Sequence, residues 1–226
     1  MFGFFDFYPM KLYRGGLFRR NTLPVDVTYA RIFHASPDAP PVDVYLNNKP
    51  IVSNLSYRSF TEYLPLAPGV YNVKVFPAGT IRNPVINTNI NVPANTILTI
   101  AATNELEDIS LYAIEDTPMS VPQDKVYLRF VHLSPNAPSV DVRLPDGKNI
   151  FEDVEYKEVA DYKLIDPGTY TLDIYGAGTD KRVLYVPNIN LKPNRFYTVY
   201  AIGLLGESPP LQVVIPLDGN SYIKVR

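Results

Sequence analysis

Residues 34–44 read HASPDAPPVDV, and residues 132–142 read HLSPNAPSVDV. The two runs share His, Ser, Pro, Ala, Pro, Val, Asp and Val at a constant offset of 98. Working outward, the match resumes at an offset of 99. YLPLAPGVYNVKVFPAGT (63–80) aligns with YKLIDPGTYTLDIYGAGT (162–179), and NINVPANTILTIAA (89–102) with NINLKPNRFYTVYA (188–201). A repeat this long exceeds the roughly 20–50 residues of a solenoid unit, so each copy reads as a domain. The copies span 28–118 and 126–217. Residues 119–125 (MSVPQDK) link them, stiffened by Pro122. The tail 218–226 contains SYIKVR, whose alternation suits one more strand.

Each copy alternates with period 2. In YNVKVF, Tyr71, Val73 and Val75 share one face while Asn72 and Lys74 share the other; YTLDIY repeats the pattern with Tyr170, Leu172 and Ile174. VDVYL (42–46), ILTIAA (97–102) and FYTVYAI (196–202) are rich in β-branched and aromatic residues. No 3.6-residue period holds over three turns, and 22 prolines interrupt the chain too often for long helices. Asn47-Asn48 and Pro145-Asp146-Gly147 fall at equivalent hairpin turns, where positive φ is tolerated. Pro68-Gly69 and Pro167-Gly168 suit type II turns. Tyr71 and Tyr170, two residues beyond each Gly, resemble the tyrosine corner of fibronectin type III sandwiches. The fold expected is all-β: two tandem immunoglobulin-like or fibronectin III-like β-sandwiches, antiparallel in character, with an extended N-terminal arm.

Composition narrows the function classes. With 46% apolar residues the chain can bury real cores, and a net charge of -2 with 19% charged residues gives no nucleic-acid footprint. The lack of Cys removes disulfides, thiolate metal sites and Cys nucleophiles. No 18-residue apolar run is present to span a membrane. MFGFFDFYPMKLYRGG places its apolar residues before Lys11 and Arg14, the reverse of a signal peptide, so no Sec address is expected.

The residues with chemical potential are duplicated. His34 and His132, the only histidines, occupy one position in both repeats. A metal site needs three or four ligands at suitable spacing, which this pattern does not supply; the simpler reading is a His that bonds the adjacent Ser-Pro loop. Asp43 and Asp141 sit between valines on a strand, as loop-binding or solvent-facing carboxylates. His34, Ser36 and Asp43 lie within ten residues without a Gly-rich oxyanion loop, and a triad requires both an aimed nucleophile and that hole. No catalytic residue, metal site or cofactor is expected, and the chain reads as a non-enzyme. Asp38, Asp43, Asp146 and Asp153 are hard oxygen donors that leave calcium as a minor option. The 17 tyrosines invite a sugar-stacking reading, weakened by the absence of Trp.

The arm, residues 1–27, has no counterpart in the repeat. Phe2, Phe4, Phe5, Phe7 and Tyr8 crowd its start; Leu12, Tyr13, Leu17 and Phe18 follow among Lys11, Arg14, Arg19 and Arg20. Burying a large apolar side chain is worth about 1.5–3 kcal/mol, so these residues call for a covered surface. The choices are packing on the chain's own first domain, strand addition to a neighbouring subunit, and a membrane-surface anchor, the last disfavoured. Extended, 27 residues reach up to roughly 90 Å at about 3.3 Å each, enough for the next molecule.

The pattern H-x-S-P-x-A-P-x-V-D-V followed by Y-x-x-L-x-P-G-x-Y resembles the bacterial domain-of-unknown-function 4397 family, and both copies carry it. The resemblance implies immunoglobulin-like sandwiches in tandem on surface and envelope proteins, with no catalytic residues to carry over. His34, Ser36, Pro37 and Asp43, with His132, Ser134, Pro135 and Asp141, match the motif as fold determinants. The expected function is a non-enzymatic structural surface protein of a spore or cell, self-assembling into a fibre or layer through exchange of the arm. Its partners would be further copies of itself and other surface or coat proteins, rather than nucleic acid or membrane. Spore coat proteins assemble without export, which fits the missing signal. The alternative is a monomeric adhesion or glycan-binding module.

Overall fold

The structure, a computed structural model, describes residues 26–116 and 119–225. The aromatic arm residues Phe2, Phe4, Phe5, Phe7, Tyr8, Leu12, Tyr13, Leu17 and Phe18 lie outside the described residues. The first repeat forms eight strands: β1 (Thr28–His34), β2 (Val42–Leu46), β3 (Lys49–Leu55), β4 (Leu64–Leu66), β5 (Gly69–Pro77), β6 (Ile86–Val92), β7 (Ile97–Thr103) and β8 (Ser110–Glu115). The second forms eight more: β9 (Val126–His132), β10 (Val140–Arg143), β11 (Asn149–Val154), β12 (Lys163–Ile165), β13 (Gly168–Gly176), β14 (Arg182–Leu191), β15 (Arg195–Ile202) and β16 (Gln212–Val214).

Each repeat is a sandwich of two four-stranded sheets, ordered β4-β1-β7-β8 over β3-β2-β5-β6, and β12-β9-β15-β16 over β11-β10-β13-β14. The chain is therefore all-β, two sandwiches in tandem, as the repeat and its alternation require. One strand pair in each domain is parallel, β1 with β7 and β9 with β15; the antiparallel character holds for the other pairs between named strands. β1 and β7 are far apart in sequence, so a long connection is available to bring them side by side in the same direction.

Local turn chemistry explains the hairpins. Asn47 and Asn48 take φ of 48° and 65° between β2 and β3, the two left-handed positions of a type I′ turn. In the second domain Gly147 takes φ 85°, and its N–H donates to the Leu144 carbonyl. The type II turns expected at Pro68-Gly69 and Pro167-Gly168 do not form. Gly69 and Gly168 instead open β5 and β13, and Gly69 has φ 146°, well away from the roughly +80° that such a turn needs. The physical reason is topological: the chain is passing from β4 in one sheet to β5 in the other, so nothing reverses it within a hairpin. The tyrosine corner is present in both copies. The Tyr71 hydroxyl donates to the Ala67 carbonyl and the Tyr170 hydroxyl to the Asp166 carbonyl, each at 2.8 Å.

Residues 218–225 add no strand. A 3₁₀ turn at Gly219–Ser221 follows Asp218, with the Ile223 amide donating to the Gly219 carbonyl at 2.7 Å. The alternation of SYIKVR is overridden because the preceding Asp218 is drawn inward between the two sandwiches.

The cores follow strand parity. Val42, Val44, Val73, Val75 and Ile86 fill the first sandwich, and Leu128, Phe130, Val142, Leu172 and Ile174 the second. A further core lies between domains, where Phe33, Ala101 and Ile114 of the first meet Val131, Leu133 and Tyr200 of the second. This is why every residue of β7 is buried: one face looks into its own sandwich and the other into the neighbouring domain, as in any strand covered on both sides. Replacing Tyr170 with Phe removes the corner hydroxyl and keeps the ring. A net hydrogen bond contributes about 0.5–1.5 kcal/mol, so urea unfolding of Tyr170→Phe is expected to show a loss in that range with an unchanged slope.

Candidate functional site

The repeated motif forms the turn that carries the chain from one sheet to the other. His34 and His132 end β1 and β9 with fully buried side chains. Their Nε2 atoms lie 3.0 Å from the Pro40 and Pro138 carbonyl oxygens. In the second domain the Ser134 amide donates to Nδ1 of His132 at 3.2 Å, so Nε2 bears the proton and donates. Burial pushes both imidazoles below their ordinary pKa, which favours this neutral state. The Ser134 hydroxyl donates to the Gly203 carbonyl at 2.6 Å. In the first domain no protein group among the described residues bonds Nδ1 of His34 or the Ser36 hydroxyl. Pro37 and Pro135 shape the same loop. The residue after each, Asp38 or Asn136, accepts through Oδ1 from the backbone amide of Leu106 or Leu205 at 2.7 Å.

The V-D-V aspartates secure the other end of the motif. Asp43 accepts from the Asn54 amide at 2.7 Å and from the Gly79 amide at 2.9 Å. Asp141 accepts from the Asp153 amide at 2.9 Å and the Gly178 amide at 3.1 Å, and also meets Arg143 at 3.1 Å. Burial alone would raise the Asp141 pKa, but these donors outweigh it and hold the carboxyl below its ordinary value. Asn54 and Asp153 have φ of 56° and 49°, so each Asp pins a left-handed residue on the neighbouring strand. The side chains needed for a triad are thus pointed at backbone: the hydroxyl of Ser134 at a carbonyl, the ring of His132 at a carbonyl and an amide, and Asp141 at two amides. Among the described residues no group of three or more His, Asp or Glu side chains is placed to hold a metal ion.

The most concentrated chemistry lies between the domains, at positions the repeat pattern did not single out. Arg31 in β1 donates from Nη2 to Asp218 Oδ1 at 3.3 Å, from Nη1 to the Leu217 carbonyl at 2.9 Å and from Nε to Thr99 Oγ1 at 2.9 Å. Arg129 in β9 repeats this across the interface. It donates from Nη2 to Asp116 Oδ1, from Nη1 to the Glu115 carbonyl at 2.7 Å and from Nε to Thr198 Oγ1 at 2.7 Å. Arg129 is therefore held by an aspartate at the end of the first sandwich, and Arg31 by one in the tail that follows the second. All four side chains are at most 4% exposed.

Tyrosines complete the cluster. The Tyr63 hydroxyl donates to Asp116 Oδ2 at 3.0 Å and the Tyr162 hydroxyl to Asp218 Oδ2 at 2.8 Å. The Arg31 guanidinium sits 4.8 Å from the Tyr63 ring and that of Arg129 4.5 Å from the Tyr162 ring, at cation–π distance. Phe33 and Phe60 stack beside them with rings 4.0 Å apart, and Tyr200 packs tilted against both. Two positive and two negative charges cancel, and each has hydrogen bonds beyond its ion pair. Burial and the nearby Asp218 nevertheless push the Asp116 carboxyl up to about 6, against the pull of Arg129 and Arg31. Such a cluster locks the two surfaces together. The sequence signal was an arginine inside an apolar strand at equivalent places, TYARIFH and VYLRFVH.

The sequence model described as "Domain of unknown function (DUF4397)" matches residues 28–143 and 144–224. The division at 143 falls at the end of β10, whereas the sheets divide between β8 and β9. No curated protein matches the chain. Among solved structures, the C-terminal domain of AlgF from P. aeruginosa is 18% identical, with 42% of this chain and 97% of that one covered and a TM-score of 0.31. The Bacillus anthracis TIE protein is 15% identical over 80% of this chain and 34% of that one, with a TM-score of 0.27. A family 26 carbohydrate-binding module from Eubacterium rectale Amy13K, solved with maltoheptaose, is 9% identical over 85% and 99%, with a TM-score of 0.25.

The interdomain cluster has a measurable signature. Breaking a buried ion pair by removing one partner costs about 3–5 kcal/mol, whereas replacing both partners with apolar residues is often nearly neutral. Arg129→Met is expected to lose that much in urea unfolding, and Arg129→Met with Asp116→Leu to recover most of it. The histidines set a pH dependence. They are neutral when folded and titrate near 6.5 when unfolded, so their contribution is full above pH 6.5 and lost as the pH falls toward their lowered folded values. Asp116 acts in the opposite sense, because its raised folded pKa makes its contribution grow as the pH falls through about 6. Urea midpoints at pH 7 and pH 5 report the sum of the two, and replacing the histidines isolates their part. A His34→Asn, His132→Asn chain is expected to lose less stability on acidification than the parent.

Proposed function

The chain belongs to the domain of unknown function 4397 family, and we propose that it is a non-enzymatic structural protein of a cell or spore surface that assembles with copies of itself. The observation that carries this reading is where the polar side chains go. In both repeats the motif His and Asp bond backbone groups of their own loops, and the interdomain charges bond one another. These are the bonds of a rigid two-domain building block.

A building block needs a connector, and the arm supplies the chemistry for one. Phe2, Phe4, Phe5, Phe7 and Tyr8 give it apolar surface that the repeats do not share. Residue 26 marks where the arm meets the first sandwich, with the Asn95 side-chain amide donating to Asp26 at 3.1 Å. In this reading the arm of one subunit completes a sandwich of the next, and a head-to-tail contact that does not close yields a fibre.

The second reading, a glycan-binding or adhesive module, draws on one surface. Tyr185 is 53% exposed on the outer face of β14, with the Arg182 guanidinium 5.2 Å from its ring. An exposed aromatic braced this way offers a stacking platform for a sugar.

Deleting residues 1–20 tests the first reading. Electron microscopy and size-exclusion chromatography of the parent are expected to show fibres or large particles that the truncated chain does not form. Unchanged assembly after truncation overturns the role of the arm. Glycan-array binding lost in Tyr185→Ala favours the second reading instead.

A further inference from the structure

We infer that the edge of β6, which no described strand pairs, is a self-association site, where a second copy of this chain pairs its own β6 antiparallel about a two-fold axis through Asn89. The argument starts from how sheet edges are protected. An exposed edge strand offers unpaired N–H and C=O groups, and proteins blunt such edges with shortness, proline, charge, bulges or a cover. Among the described residues, the other edges all carry one of these. β4, β12 and β16 have three residues each. β3 contains Lys49 and Pro50 and has register shifts against β2. β11 contains Glu152 and Asp153 and is also shifted, while β14 contains Arg182 and Pro187 and shifts twice. β8 ends in Glu115, and Lys157 of the second domain reaches its Ser110 at 3.2 Å.

Among the described residues, β6 has none of them. It is seven residues long, INTNINV, without charge or proline, and it pairs with β5 in unbroken register from Gly69–Val92 to Val75–Ile86. Asn87, Thr88, Asn89 and Asn91 are exposed.

The occupant follows from the sequence of the strand, which is nearly the same read in either direction. With Asn89 opposite itself, Ile86 stands opposite Val92, Asn87 opposite Asn91 and Thr88 opposite Ile90. Positions of one parity face outward and those of the other face the core, so this register sets asparagine against asparagine on the outer face throughout. On the inner face it sets the buried ends Ile86 and Val92 against each other. A shift by one residue would mix the faces. The outer asparagines are already ordered: Asn72 Nδ2 donates to both Asn87 Oδ1 and Asn89 Oδ1 at 3.1 Å. That leaves the NH2 groups of Asn87 and Asn89 as donors for a facing asparagine, the arrangement of an amide ladder. The contact is isologous and closes as a dimer, joining two four-stranded sheets into one of eight.

The chain contains no cysteine, so one introduced thiol reports the register in the full-length protein. Residues directly opposite in an antiparallel pair have Cα atoms about 4.5–5.5 Å apart, within disulfide reach. Asn89→Cys is expected to run as a disulfide-linked dimer after mild oxidation, and Asn48→Cys, exposed in the β2–β3 turn, is expected to stay monomeric on a non-reducing gel. If both cross-link alike, or neither does, the proposal is overturned. Charge provides the second measurement. Asn89→Lys places like charges opposite each other, so it should lower the mass measured by light scattering, as should Asn89→Asp, and mixing the two should restore it. No rescue by mixing overturns the proposal. If cross-linking at Asn89 instead disappears when residues 1–20 are deleted, the arm organises that edge and β6 self-pairing is again overturned; loss of fibres with the cross-link retained separates the two contacts.

Discussion

Arg31 and Arg129 each cross from one sandwich to an aspartate of the other, and the relation of the two domains rests on this exchange. A guanidinium buried without a partner is among the most costly arrangements a protein interior can hold. Arg31 projects from the outer face of its own sandwich, and the groups that satisfy it, Asp218 and the Leu217 carbonyl, come from the end of the second repeat. Arg129 depends in the same way on Asp116 and the Glu115 carbonyl. Both direct ion pairs cross between the domains, so the docked state is the one in which they form.

The aromatic residues around the cluster follow from the same constraint. Phe33, Phe60 and Tyr200 exclude water beside the ion pairs, which strengthens the charge interactions while removing the solvent that would otherwise compete. The near two-fold relation has a simple origin: equivalent residues of a duplicated domain face one another, so one favourable contact occurs twice. The repeats have nevertheless diverged. The outer face of the first carries the Asn72–Asn87–Asn89 amides, and that of the second carries Arg143 over Tyr175 and Arg182 beside Tyr185. The scaffold is shared, while the surfaces available to partners differ.

The motif residues occupy a middle position between scaffold and site. His34 and His132 looked like chemistry because they are rare and duplicated, yet their bonds end on Pro40 and Pro138 carbonyls. Asp43 and Asp141 looked like ligands, yet they bind backbone amides on strands brought alongside by the sandwich. Both patterns come from one need. A chain crossing between two sheets exposes backbone groups that no ladder satisfies, and buried polar backbone must find partners.

The sequence by itself determined the duplication, the β-sandwich class, the hairpins at Asn47-Asn48 and Pro145-Asp146-Gly147, and the tyrosine corners, because these depend on local turn preference and on the two-residue period of a strand. It also marked the motif residues, though not their partners. Only the tertiary structure decided the rest. Gly69 and Gly168 open strands instead of closing turns because the chain changes sheets there. SYIKVR is not a strand because Asp218 is held by Arg31 across the interface. The full burial of β7 and the pairing of Arg31 with Asp218 depend on a second domain docking on a particular face. Such contacts join residues as far apart as 31 and 218, and no local pattern encodes which distant carboxylate will meet a given guanidinium.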